Sequence, residues 1–322
     1  MRIIRKVIKL RTKVIKCVIF ILLLMFFLIL LSKLFYPKNN NVDAGIHSRG
    51  ASGILAEPRD SIDVIFYGNS EAYTSIIPLE LWNDYGYTSY VCASPEQKLP
   101  QSVRFIFENH KNQHPKIIVL EANNIFSTSK LSDASDQFLN CKLKVFQYHD
   151  RWKSLKKDDL SLKTNFNTIN YMKGYEYSDD IAGVYEENTE NETGETGIIS
   201  KSNSMYINII NNFCKENGIK FIILSSPSIK YWNHSTHDSI QSFCDKNGIE
   251  YVDLNLSDEV NVDWTKDTRD YGDHLNHTGA LKVTKYVGKY LHEKNILKNH
   301  KDDDRYKQWD DSYEQYKRKV ND

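Results

Sequence analysis

Residues 61–71 read Ser-Ile-Asp-Val-Ile-Phe-Tyr-Gly-Asn-Ser-Glu. Ser61 to Tyr67 has the β-branched and aromatic run of a short buried strand, and it passes directly into Gly68-Asn69-Ser70. A strand that stops on Gly and presents Ser at its carboxyl end is how α/β folds expose a nucleophile. The Gly permits a tight turn, and the main-chain N–H groups beside the Ser are able to face a developing oxyanion. Gly-x-Ser alone has little specificity. It gains meaning from a distant stretch, Asp270-Tyr-Gly-Asp273-His274-Leu-Asn276-His-Thr-Gly279, which sets acid and imidazole together just before a terminal helix.

Working outward, apolar runs at Thr88–Ala93, Lys116–Ala122, Lys220–Leu224 and Glu250–Leu254 read as four more strands. Helical spacing of apolar residues predicts helices at Pro78–Tyr85, Pro100–His110 and Thr278–Tyr290. Two stretches nearly repeat. Phe213-Cys-Lys-Glu-Asn-Gly218-Ile219 and Phe243-Cys-Asp-Lys-Asn-Gly248-Ile249 each end a helix on Asn-Gly and enter a strand at once. Strands alternating with helices call for a parallel sheet, here a flavodoxin-like, doubly wound α/β fold of about five strands with ligands at the strand carboxyl ends.

The amino terminus sets the compartment. Met1–Lys16 carries seven basic residues and no acid, and Cys17–Leu31 is an unbroken apolar run. With its flanks, and with Lys16 and Lys33 snorkelling, the run reaches the roughly 20 residues that a spanning helix needs. A cleaved signal peptide is the rival reading, but the apolar stretch is long and Lys33-Leu-Phe-Tyr-Pro lacks a small-x-small cleavage site. An uncleaved anchor is therefore expected, contacting the bilayer through residues 17–36, with the amino terminus cytoplasmic and residues 37–322 extracytoplasmic by the positive-inside rule. Beyond position 36 stand 34 basic against 42 acidic residues, a balance of −8. That excludes a general nucleic-acid binder, which needs a basic face. Cys92, Cys141, Cys214 and Cys244 fit no zinc spacing and read as buried free thiols.

The expected organisation is a basic segment and anchor at 1–36, a polar stalk at 37–60, an α/β domain at 61–296 interrupted by an insertion at 127–200, and a charged tail at 297–322. Within the insertion, Phe146, Tyr148, Trp152, Phe166, Tyr171, Tyr175 and Tyr177 are numerous enough to pack a small helical cap. Val184–Gly197, rich in Glu, Asn, Thr and Gly, reads as a mobile loop. Tyr306, Trp309, Tyr313 and Tyr316 make one aromatic helical face in the tail, expected to dock on the same domain, with a partner interface as the alternative.

Serine is a poor nucleophile at neutral pH unless an imidazole accepts its proton and an acid fixes the imidazole tautomer. Ser70 after the first strand and His274 before the last helix both fall at the carboxyl edge of a parallel sheet. Asp270 and Asp273 are the candidate acids. Adjacent side chains diverge in extended loops, which favours Asp270 without removing Asp273. A metal set of Asp270, Asp273, His274 and His277 lacks a second cluster of ligands, and no metal or cofactor is expected.

Phe66-Tyr-Gly-Asn-Ser70-Glu-Ala-Tyr73, the segment Tyr90–Gln97, Pro115-Lys-Ile-Ile-Val-Leu-Glu121 and Gly272-Asp-His-Leu-Asn276-His-Thr-Gly279 together resemble the membrane-anchored SGNH (GDSL-like) hydrolases. The likeness covers about 62–126 and 204–291. It is nearest to bacterial cell-envelope members that work beside membrane-bound O-acyltransferases, among them the D-alanyl transfer group. The resemblance implies Ser70 as nucleophile and His274 as base, with Ser70, Ser94 (after Ala93) and Asn123 as oxyanion-binding positions. It departs where the family's acid precedes the histidine by three places, which here is Tyr271, and where Gly-x-Asn-Asp is replaced by Glu121-Ala-Asn-Asn124. The expected function is a membrane-tethered serine esterase or O-acyltransferase acting on acyl esters of envelope glycans or polymers. The alternative is a catalytically decayed subunit of the same fold that partners a membrane-bound acyltransferase.

Overall fold

A computed structural model describes residues 2–41, 44–46, 48–127, 131–161, 163–185 and 197–321. Five strands, β1 Val64–Gly68, β2 Ser89–Ala93, β3 Ile117–Glu121, β4 Lys220–Ser225 and β5 Glu250–Asp253, form one sheet in the order β2-β1-β3-β4-β5. Every neighbouring pair is parallel, and the register sets Gly68 opposite Ala93, Tyr67 opposite Leu120, and Glu121 opposite Leu224. The helices are α1 Arg2–Phe35, α2 Arg49–Ser52, α3 Ser70–Ser75, α4 Pro78–Tyr85, α5 Leu99–Asn109, α6 Leu131–Lys142, α7 Lys144–Gln147, α8 Lys201–Glu216, α9 His234–Asn247, α10 His277–Glu293 and α11 Lys307–Asn321. This is the doubly wound α/β fold, with an apolar amino-terminal helix.

Successive side chains along a strand face opposite sides, so each strand feeds two cores. Ile65, Tyr67, Ile118, Leu120 and Ile223 pack with Phe105 and Ile106 of α5, Ile207 and Ile210 of α8, and Ile240 of α9. Val64, Phe66, Val91, Val119 and Leu224 pack on the other face with Leu81 of α4 and with Val283, Val287 and Leu291 of α10. The two Asn-Gly helix ends are alike in geometry, with Gly218 at φ 67° and Gly248 at φ 63° in the left-handed region. The segment 173–175 rejoins the β2 edge, where the Val91 N–H donates to the Lys173 carbonyl at 2.9 Å.

The tail folds back onto the body. Trp309 is fully buried with its ring 5.7 Å from that of Trp82, and the Trp82 indole N–H donates to Asp310 at 3.0 Å. Tyr306 and Tyr316 are buried too, so this aromatic face is spent inside the chain rather than offered to a partner.

Residues 37–60 depart from the polar stalk that composition suggested. Ile46, Ala51 and Ile54 are buried, and the Tyr90 hydroxyl donates to the Gly50 carbonyl at 2.7 Å. Glu57 and Lys173 form a fully buried ion pair at 2.8 Å, with the ammonium 4.5 Å from the centre of the Trp309 ring. Composition cannot register such a pair, because each partner read separately is a surface residue. Of the loop expected at 184–197, residues 186–196 lie outside the described residues. Cys92, Cys214 and Cys244 are buried free thiols and Cys141 is a half-buried one.

α1 is one helix long and apolar enough to cross a membrane, spanning Arg5–Phe35 by that measure. At 1.5 Å per residue those 31 residues extend about 46 Å, more than the roughly 30 Å hydrocarbon core.

Candidate active site

Three loops meet at the carboxyl end of the sheet. β1 delivers the first, and Gly68 is required there by steric closeness rather than by an unusual φ. A Cβ at this position would stand 2.6 Å from the Glu121 Cβ and 2.9 Å from the Ala72 Cβ. With nothing larger than hydrogen at 68, β1 lies close against β3 and α3 starts at Ser70.

The second loop carries the imidazole. Its turn is closed by Thr268, whose hydroxyl donates to the His274 carbonyl at 2.9 Å and accepts the Gly272 N–H at 2.8 Å. Tyr271 and Gly272 take φ of 60° and 81°, which folds the chain back sharply. Asp270 is thereby brought onto His274. One carboxylate oxygen accepts the His274 main-chain N–H at 2.6 Å, and the other pairs with Nδ1 of its ring at 2.5 Å. Tyr271, at the place where the related pattern has its acid, points outward and is largely exposed. The returning insertion braces this turn, since Ala182 donates to the Thr268 carbonyl at 3.0 Å and Tyr271 donates to the Ala182 carbonyl at 2.8 Å. α10 then begins with Asn276 as its cap, accepting the Gly279 N–H at 3.2 Å.

Asp273 turns elsewhere. It pairs with Lys230 at 3.4 Å. Among the described residues, ligand-type atoms of Glu71, Asp273 and His274 all lie within 4.8 Å of one another.

Glu71 and Glu121 were not singled out in the sequence, and they dominate the electrostatics. The Ser70 hydroxyl donates to the Glu71 carboxylate at 3.3 Å, and Asn123 lines the same cleft. Ser70 and His274 thus both approach one buried carboxyl group. Burial raises the Glu71 pKa, with the nearby imidazole opposing the shift. Burial pushes Glu121 well above the usual carboxylate range and the charge of Glu71 pushes it further, while the Asn123 N–H, 2.9 Å from Oε2, works the other way. Two buried carboxyls this closely coupled do not both ionise readily. A Glu directly after the Ser, and a Glu closing an apolar strand, were the available signals. Both look like ordinary solvent-facing residues until the register of β1 and β3 is known.

Ser94 follows β2 at the same edge, but its side chain is buried and committed, donating to Gln97 at 3.0 Å and accepting from Gln101 at 3.1 Å. Asn123 sits in the turn after β3, half exposed. A shallow cleft opens beside Glu71, lined by Glu121, Asn123, Ser226, Tyr231 and Trp232 among others.

No protein-family model matches the chain, and no curated protein matches its sequence. Among solved structures it overlays a provisionally assigned acylhydrolase from Bacteroides fragilis at TM-score 0.40 and 13% identity, over 79% of this chain and 98% of that one. It overlays a GDSL-like lipase from Bacteroides thetaiotaomicron at TM-score 0.38 and 14% identity, over 77% and 97% of the two chains. An acetyl xylan esterase from Butyrivibrio proteoclasticus overlays at TM-score 0.32 and 10% identity, covering 74% of this chain and 65% of that one. Overlays this distant carry no argument about chemistry or substrate.

Proposed function

We propose that this chain is a membrane-tethered serine enzyme that cleaves or transfers acyl esters outside the cytoplasm. The observation that supports this most is the Asp270–His274 pairing, which fixes an imidazole at the same strand ends as Ser70. With its Nδ1 proton directed at Asp270, the ring has Nε2 free to act as base.

In this reading an incoming ester takes the Ser70 hydroxyl away from Glu71. Ser70 Oγ attacks the carbonyl carbon as His274 accepts its proton, and Asp270 stabilises the imidazolium. Main-chain N–H groups at the start of α3, with Asn123, hold the tetrahedral oxyanion. His274 then protonates the departing alkoxide. Water completes an esterase cycle; a glycan hydroxyl completes an O-acyl transfer. The anchor favours acylated polymers of the cell envelope as substrates, delivered beside a membrane-bound acyltransferase.

A second reading is a non-catalytic subunit of the same fold. It is favoured by one observation, that Ser70 donates to Glu71 rather than to His274. Steady-state hydrolysis of p-nitrophenyl acetate and acetylated glycans by the wild type and Ser70→Ala separates the two. Loss of turnover in the variant supports the enzyme; equal turnover in both removes Ser70 from the chemistry.

A further inference from the structure

The segment that clamps the exit of α1 also carries an exposed aromatic and basic surface. Val145 donates its N–H to the Ser32 hydroxyl at 3.1 Å, and Arg151 donates to the Phe35 carbonyl at 2.6 Å while pairing with Asp159 at 2.7 Å. The ring of Tyr36 packs edge-on against Tyr148 and Phe166. Helix and insertion therefore meet as one packed unit and not through a flexible tether.

The large side chains next to these contacts face outward. Phe146 follows Val145, Trp152 follows Arg151 and Leu160 follows Asp159, and they are 44%, 64% and 71% exposed. Each is one residue from a group that holds the helix exit. Lys153, Lys156 and Lys157 are exposed in the same stretch, and residues 142–163 hold seven basic residues against three acidic ones. This local excess stands out in a region after position 36 whose balance is −8. An aromatic ring and lysines where an apolar helix leaves a bilayer match the interfacial belt and the polybasic attraction to anionic headgroups.

We infer that the surface around Phe146, Trp152 and Leu160, with Lys153, Lys156 and Lys157, lies in the headgroup layer of an anionic membrane and holds the α/β body at a fixed height and tilt. This rests on the reading of α1 as a membrane anchor. The occupant is lipid, because the anchor places these residues at the bilayer surface and their charge complements acidic headgroups. Each lysine near such a surface strengthens the association about fivefold. The site at the strand ends would then address acyl groups held at a set distance from the membrane.

The test uses the full-length chain in nanodiscs containing phosphatidylglycerol, with a nitroxide label placed in turn at Trp152→Cys, Leu160→Cys, Ile296→Cys and Met25→Cys. Collision with oxygen against a water-soluble nickel complex reports depth. Labels at 152 and 160 are expected to be shielded from nickel and open to oxygen, the label at 296 to behave as in water, and the label at 25 to lie in the hydrocarbon. Shielding at 152 and 160 is expected to fall in uncharged lipid and in the Lys153→Glu/Lys156→Glu/Lys157→Glu variant. Water-like behaviour at 152 and 160 with the label at 25 still in hydrocarbon overturns the surface inference and leaves that face for a protein partner. Water-like behaviour at 25 overturns the anchor itself. Shielding that is indifferent to headgroup charge overturns the role of the lysines.

Discussion

Asp270 and Asp273 flank the same histidine, and replacing each by Asn should separate their roles by orders of magnitude. The two oxygens of Asp270 take different donors, the His274 main-chain N–H at 2.6 Å and ring Nδ1 at 2.5 Å. In Asp270→Asn the single remaining oxygen stays with the main-chain N–H, which cannot reorient. The new amide N–H₂ then faces Nδ1 and forces the ring proton to Nε2, so the atom that should accept the serine proton is blocked. In serine triads that tautomer error costs about 10⁴ in turnover. Asp270 is 40% exposed at its side chain, which weakens its hold, so a loss of roughly 10³ to 10⁴, about 4–5 kcal/mol of barrier, is expected. Asp273 pairs with Lys230 and supports the imidazolium only through space, from within 4.8 Å. With its charge largely offset by Lys230, that is worth roughly 1 kcal/mol, so Asp273→Asn should lose tenfold or less. The assay is kcat/KM for p-nitrophenyl acetate with the detergent-solubilised full chain, with melting temperature and circular dichroism as fold controls. Equal losses in the two variants, or an Asp270→Asn protein that keeps more than about a tenth of wild-type activity, refute the assignment.

Other perturbations follow from the same contacts. Gly68→Ala puts a methyl 2.6 Å from the Glu121 Cβ and should cost about 1–3 kcal/mol in a urea titration while abolishing esterase turnover. Trp309→Ala removes a fully buried ring and should cost about 3–5 kcal/mol by the same titration, showing that the tail belongs to the core. Glu121 has a folded pKa raised above its unfolded value, so the native state binds more protons than the unfolded one. Its contribution is greatest below the unfolded value and declines as pH rises through the folded one. Urea midpoints should therefore decline with rising pH above the ordinary carboxylate range, and Glu121→Gln should flatten that slope. Glu250 runs the opposite way. Burial alone would raise it, but hydrogen bonds from Lys220, Lys294 and Tyr290 bring it to about 2. Stability from this cluster is present above the unfolded value near 4.5 and is lost as pH falls toward 2, and Glu250→Gln should remove that acid-limb loss.

The sheet was legible because strands buried on both faces must be continuous apolar runs, as Ile117–Leu120 is, and because Asn-Gly helix ends mark where α8 and α9 give way to β4 and β5. The aromatic stepping of the tail was likewise visible, since packing needs only one face of α11. What escaped depends on contacts between residues far apart in sequence. Glu57 and Lys173 are each polar in isolation, and only their meeting, 116 positions apart, lets both be buried where the segment before β1 packs on the body. Glu71 and Glu121 become a coupled pair only once β1 lies beside β3. The preference for Asp270 over Asp273 rested on side-chain direction alone; the left-handed turn at Tyr271 and Gly272 that brings Asp270 onto the imidazole was not readable beforehand.

The most direct trial of Ser70 as an activated nucleophile is covalent capture. The full-length protein, held in lipid, is treated with a fluorophosphonate and the modified peptide is mapped by mass spectrometry. Modification on Ser70, absent in Ser70→Ala and much slower in His274→Ala, is the expected result. An unmodified Ser70, or modification that proceeds equally well without His274, would contradict a serine activated by this imidazole.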